Sequence, residues 1–109
     1  MSSRGLPSIT HLQFAVLGQL LAEEQPGRQL RRGLARLGER RSAPAFYQMM
    51  ARLEEAGLLS GRYDQRVLDG QLIKERRYRA TPAGLKAWER TRDFYAAQVA
   101  ACRPRPADA

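Results

Sequence analysis

Ile9, Leu12, Val16, Leu17, Leu20 and Leu21 recur at three- and four-residue steps, the spacing of one helix face. Thr10 with Gln13 three residues on is a capping box, and together they predict a first helix over about 9–22. Glu23 to Gly27 reads as a turn, broken at Pro26-Gly27. A second helix follows over about 27–37, with Leu30, Leu34 and Leu37 inward and Gly38 as its stop. Its other face carries Arg28, Arg31, Arg32 and Arg36. Ser42 is placed as an N-cap and Pro44 in the first turn of a third helix, about 43–56, closed by Gly57. Phe46, Met49, Met50 and Leu53 form its buried face. Ala45, Gln48, Arg52 and Glu55 lie opposite, with Tyr47 at the edge.

The period then changes. Leu58 to Val67 and Leu72 to Ala80 are extended runs around Asp69-Gly70, a strong hairpin signal. A two-residue turn there pairs Val67 with Leu72 and Tyr63 with Arg76. It also sets Arg62 against Arg77 and Asp64 against Glu75, and like charges in facing positions destabilise a hairpin. Either something anionic sits near the arginine pair or the register differs. Thr81-Pro82 then starts a last helix over about 82–101, roughly 30 Å long. Leu85, Trp88, Tyr95, Val99 and Cys102 mark one stripe of it, interrupted by Arg92, with Phe94 to one side.

The 109 residues suit a single domain, and 43% hydrophobic residues suffice for a core. Nineteen Lys plus Arg against eleven Asp plus Glu give a net charge of +8, which favours a polyanionic partner. Only Lys74 and Lys86 are lysines; the remaining cations are arginines, whose planar fork suits phosphate. The charge is concentrated in two blocks. Residues 25–41 carry a net +5, and 62–80 carry +3, on either side of a segment at −1.

A single cysteine, Cys102, excludes an internal disulfide framework and a cysteine-rich zinc site. The most apolar stretch, Phe14 to Ala22, is too short to span a membrane, and the N-terminus lacks the order of a signal peptide. A cytoplasmic protein without cofactor or metal is therefore expected. The only histidine, His11, has no partner for catalysis, and no phosphate-binding glycine loop or nucleophile elbow is present, so an enzyme is not expected. The Met49–Met50 pair reads as core filler.

Helix, helix, helix, hairpin and long helix is the order of a winged helix-turn-helix, mainly α with a small β-hairpin (α+β). The run Ser-Ala-Pro-Ala-Phe-Tyr-Gln-Met-Met-Ala-Arg-Leu-Glu-Glu-Ala-Gly-Leu-Leu at 42–59 resembles the signature of PadR-type transcriptional regulators. Arg-Arg-Tyr-Arg-Ala-Thr-Pro-Ala-Gly at 76–84 is similar to that family's exit from the wing, and Val16-Leu17-Gly18 with Leu20-Leu21 to its opening. The resemblance runs over about 9–99, in matching order. Two positions depart from it. Gly27 is followed by Arg28 where the family has tyrosine, and Ala45 stands where it has glycine.

The resemblance implies a homodimeric DNA-binding repressor whose last helix forms the dimer interface. Some such proteins bind a small aromatic or hydrophobic effector between those helices, which makes Trp88 the candidate stacking residue and Tyr47 a DNA contact. The expected division is a DNA-binding unit at 1–80, a dimerisation helix at 81–102 and a tail at 103–109.

Candidate DNA contacts are Ser42, Ala45, Tyr47, Gln48 and Arg52 on the third helix and Arg40 and Arg41 before it. Gln48 suits adenine and Arg52 guanine, unless Arg52 bonds Glu54 or Glu55 locally. Arg62, Arg66, Lys74, Arg76 and Arg77 of the wing are expected to meet phosphate or the minor groove as a group. Leu85, Trp88, Tyr95 and Val99 are candidates for the dimer interface or an effector site. The competing reading is a winged-helix interaction or assembly module whose basic faces meet an acidic protein. An RNA-binding role lacks the aromatic platform that single strands need.

Overall fold

The structure is a computed structural model that describes residues 6–102; the expected tail at 103–109 lies outside the described residues. Four helices and three strands follow in the order α1 (His11–Gln19), β1 (Gln25–Pro26), α2 (Gly27–Arg36), α3 (Ala43–Glu55), β2 (Leu59–Leu68), β3 (Gln71–Ala80) and α4 (Pro82–Ala101). This is an α+β winged helix.

Local chemistry sets three of the four helix starts. Thr10 Oγ1 accepts from the Gln13 N–H at 3.1 Å, and the Gln13 side chain accepts from the Thr10 N–H at 3.0 Å. Ser42 Oγ accepts from the Ala45 N–H at 3.3 Å at the start of α3. Thr81 Oγ1 accepts from the Gly84 N–H at 3.0 Å at the start of α4, with Pro82 in its first turn. These bonds satisfy donors that a helix start otherwise leaves unpaired. Helices α2 and α3 both stop at a left-handed glycine, Gly38 (φ 92°) and Gly57 (φ 77°).

The hairpin register is the expected one. Arg62 faces Arg77, Tyr63 faces Arg76, Asp64 faces Glu75 and Val67 faces Leu72. Asp69 (φ 51°) and Gly70 (φ 77°) both take the left-handed conformation that a two-residue hairpin turn requires.

Two boundaries differ from expectation. The Glu23–Gly27 segment is not only a turn: Gln25 and Pro26 form a short third strand, pairing with Tyr78 and Arg77 of β3. Proline is tolerated there because β1 lies at the sheet's edge, in the order β1-β3-β2. Helix α1 ends at Gln19, short of the expected 22: the Leu20 N–H closes onto the Leu17 carbonyl at 3.0 Å in a tighter last turn, with Leu20 buried in the core and Leu21 exposed.

The core joins Val16 and Leu20 of α1 and its end, Leu30 and Leu34 of α2, Phe46, Met50 and Leu53 of α3, and Leu59 and Tyr78 of the sheet. Burying each such side chain contributes roughly 1.5–3 kcal/mol. Met49 is half-buried against this cluster, whereas Leu37, expected in the stripe of α2, is 68% exposed because it falls at the helix's end. Gly84 of α4 packs against the Leu58 carbonyl, where any Cβ would collide. That contact and the Thr81 N–H donated to the same carbonyl at 3.2 Å fix α4 to the end of α3.

Candidate nucleic-acid interface

Helix α3 turns Phe46, Met50 and Leu53 inward, so Gln48, Arg52 and Glu55 project to solvent. None of the ion pairs among the described residues involves Arg52. The local bond considered for it does not form: Glu54 instead accepts from Arg76 Nη2 at 2.9 Å and from the Gly61 N–H at 3.0 Å. Ala45, expected on the exposed face, is half-buried, and its N–H donates to Ser42 Oγ.

Tyr47 occupies the edge facing the start of α2. Its ring lies over Gly27, where a Cβ would come within 2.8 Å of the Tyr47 hydroxyl. The departure at Arg28 leaves that packing intact, because the glycine before it makes the contact. Tyr47 then borders a groove of about 540 Å³ between α3, the start of α2 and the wing, with Tyr63, Lys74 and Arg76 on the far side. Lys74 Nζ stands 4.8 Å from the Tyr63 ring centroid, as does the Arg76 guanidinium carbon.

The cations divide into two groups. In the first basic block, Arg32, Arg36 and Arg40 take part in none of the ion pairs among the described residues. Arg31 Nε donates to the Arg41 carbonyl at 2.8 Å, and Arg41 pairs with Glu39 at 3.3 Å.

The wing is different, because every arginine expected to touch DNA there is held by a carboxylate. Arg62 donates a two-pronged fork to Glu24, at 2.9 and 2.7 Å, and Arg77 Nε donates to the same carboxylate at 3.0 Å. Arg66 donates to Glu75 at 2.7 Å, and Arg28 and Arg77 donate to Glu75 at 3.2 Å each. Arg76 is paired with Glu54. The anionic group required between Arg62 and Arg77 is therefore Glu24, from the segment before β1. Hydrogen bonds from Arg62 hold the Glu24 carboxyl below the usual carboxylate range, and those from Arg66 do the same for Glu75; partial burial opposes both.

At the far end, the face of α4 is only partly covered. Trp88 stacks on Phe14 of α1 with centroids 5.4 Å apart and planes 8° from parallel, and Tyr95 meets Phe14 edge-on at 6.2 Å. Gly18 lets the indole approach, since a Cβ there would sit 3.1 Å from Trp88 Nε1. Leu85 and Tyr95 stay well exposed and Val99 is 77% exposed. Phe14, the first residue of the most apolar stretch, carries no stacking expectation from sequence; its signal is a position one helical turn before Gly18. Cys102 is a free, exposed thiol. Among the described residues no His, Cys, Asp or Glu cluster could hold a metal ion, and no helix is long and apolar enough to cross a membrane.

A three-helix core with a two-stranded wing and a long last helix defines the winged-helix class. Within it, the chain resembles solved structures of PadR-family proteins. A PadR family transcriptional regulator from Eggerthella lenta is 29% identical, with a TM-score of 0.64 over 82% of this chain and 75% of that one. A PadR family transcription regulator from Clostridium difficile superposes with a TM-score of 0.71 at 14% identity, over 84% of this chain and 93% of that one. Bacillus subtilis PadR, solved in complex with operator DNA, matches at 19% identity and a TM-score of 0.60, over 93% of this chain and 52% of that one. No protein-family model and no curated relative matches the sequence. The chain thus has the winged-helix fold that these PadR-family transcriptional regulators share.

Proposed function

We propose that this protein is a sequence-specific double-stranded DNA-binding transcriptional regulator, acting as a homodimeric repressor. The observation that carries this reading is the solvent face of α3. Gln48 and Arg52 are exposed at a capped helix, and Arg52 has no ion-pair partner among the described residues. Arg32, Arg36 and Arg40, which form no ion pair among the described residues, precede them in the chain. Phosphate contacts from the latter position the protein, and base-edge contacts from the former specify the site. Ser42, Tyr47 and Lys74 complete the surface, as a helix N-terminus, a phenol donor and an ammonium resting over the Tyr63 ring.

The B. subtilis relative solved with operator DNA supports this reading. The exposed Leu85, Tyr95 and Val99 supply the apolar surface that a second copy would cover. The Phe14–Trp88 stack beside it offers a flat platform for a small hydrophobic or aromatic effector that releases DNA.

Fluorescence anisotropy on duplex from upstream of the protein's own gene, against random duplex, tests the reading. A preference of about a thousandfold or more is expected of a specific regulator. Binding no tighter than that of an unrelated protein of equal charge would favour an interaction module instead.

A further inference from the structure

The hairpin register forces Arg62 and Arg77 to face each other across adjacent strands. Two guanidinium groups in that position repel unless an anion lies between them. In DNA-bound wings that anion can be a phosphate. Here it is Glu24, which sits outside the hairpin and reaches both arginines at 2.7–3.0 Å. Glu75 holds Arg28 and Arg66 in the same way. The four guanidinium groups of Arg28, Arg62, Arg66 and Arg77 thus meet the three carboxylates of Glu24, Asp64 and Glu75. Much of the wing's formal charge is cancelled before DNA arrives. Yet the Arg62 side chain is 56% exposed, so it is within reach of solvent and of an incoming strand.

We infer that Glu24 is an internal phosphate mimic. It occupies the anion position between Arg62 and Arg77 and withholds both from the DNA backbone. The inference rests on the DNA-binding reading and adds a specificity role to it. A wing that is pre-neutralised gains little on random duplex, because backbone contacts carry the non-specific term. Discrimination then falls to the base-facing side chains of α3. Glu24 is a positioning residue as well, since the same fork ties the hairpin to the segment before β1.

The test is the salt dependence of binding to a random duplex, by anisotropy over a range of potassium chloride concentrations. Glu24→Gln is expected to bind random duplex several-fold more tightly at low salt. Its plot of log K against log salt should steepen by about 0.9 for each arginine freed onto a phosphate. Arg62→Gln in the otherwise native protein should leave the slope unchanged, since that arginine is already satisfied. The double variant Glu24→Gln/Arg62→Gln should move back toward the native slope. Circular dichroism verifies that each variant is folded, and the Arg62→Gln arm decides the matter should Glu24→Gln not fold.

A folded Glu24→Gln with an unchanged or shallower slope overturns the inference, as does a drop of about 0.9 in Arg62→Gln alone. Absence of any duplex binding by the native protein overturns the DNA reading and this inference together.

Discussion

Gly84 lies against the carbonyl oxygen of Leu58, which also accepts the Thr81 N–H at 3.2 Å. The Thr81 hydroxyl in turn donates to the Gly57 carbonyl at 2.6 Å and accepts from the Gly84 N–H. This cluster holds the base of α4 against the end of α3, and so places the two helices relative to one another. Gly84→Ala should lower stability by about 1–3 kcal/mol through overpacking, although alanine is the better helix former. Urea unfolding measures this; an unchanged or raised midpoint would contradict the close contact.

The motif at 78–84 was legible because capping is local: a hydroxyl, a proline and a glycine within four residues do the work. The hairpin register was legible for the same reason, since Asp69-Gly70 dictates the turn and the turn dictates each facing pair. What sequence could not show depends on distant partners. Gln25 and Pro26 are a strand only because Tyr78 and Arg77 lie beside them. The fate of the wing arginines depended on Glu24, nearly forty residues before the first of them. Charge counting placed Arg62, Arg66, Arg76 and Arg77 in a basic block; pairing leaves Arg32, Arg36 and Arg40 as the freer cations.

That redistribution has a consequence in salt titration. Arg36→Gln and Arg40→Gln should each make the salt slope shallower by up to about 0.9, and weaken specific and random duplex alike. Slopes equal to that of the native protein would show that neither side chain meets phosphate.

The wing network should also appear in acid. Glu24 and Glu75 have folded-state pKa values below the ordinary range, chiefly because Arg62 and Arg66 respectively donate to them. The unfolded chain takes up these protons first, at about pH 4.3. Their stabilisation is therefore complete above that value and is lost as pH falls through the depressed folded values. Thermal midpoints should be flat between about pH 7 and about pH 5 and then fall, and Glu24→Gln should fall less steeply. An identical acid limb in the variant would contradict the role of Glu24.

For the distal helix, Val99 is the most exposed of the large apolar side chains on α4. Val99→Asp places a charge in the surface proposed for the second copy, where burying it is costly. Sedimentation should give a dimer for the native protein and a shift toward monomer for the variant, with unchanged helix content. A native protein that sediments as a monomer would contradict the dimer.

The central claim is that the exposed face of α3 reads base edges, and Gln48 tests it most directly. A site selected by the native protein from a randomised duplex library should be an inverted repeat, with half-sites roughly 34–36 Å apart. Gln48→Ala should then lose about 1–3 kcal/mol of discrimination at one base pair per half-site while binding random duplex as before. Equal losses on the selected and random duplexes, or no site enriched at all, would contradict the account.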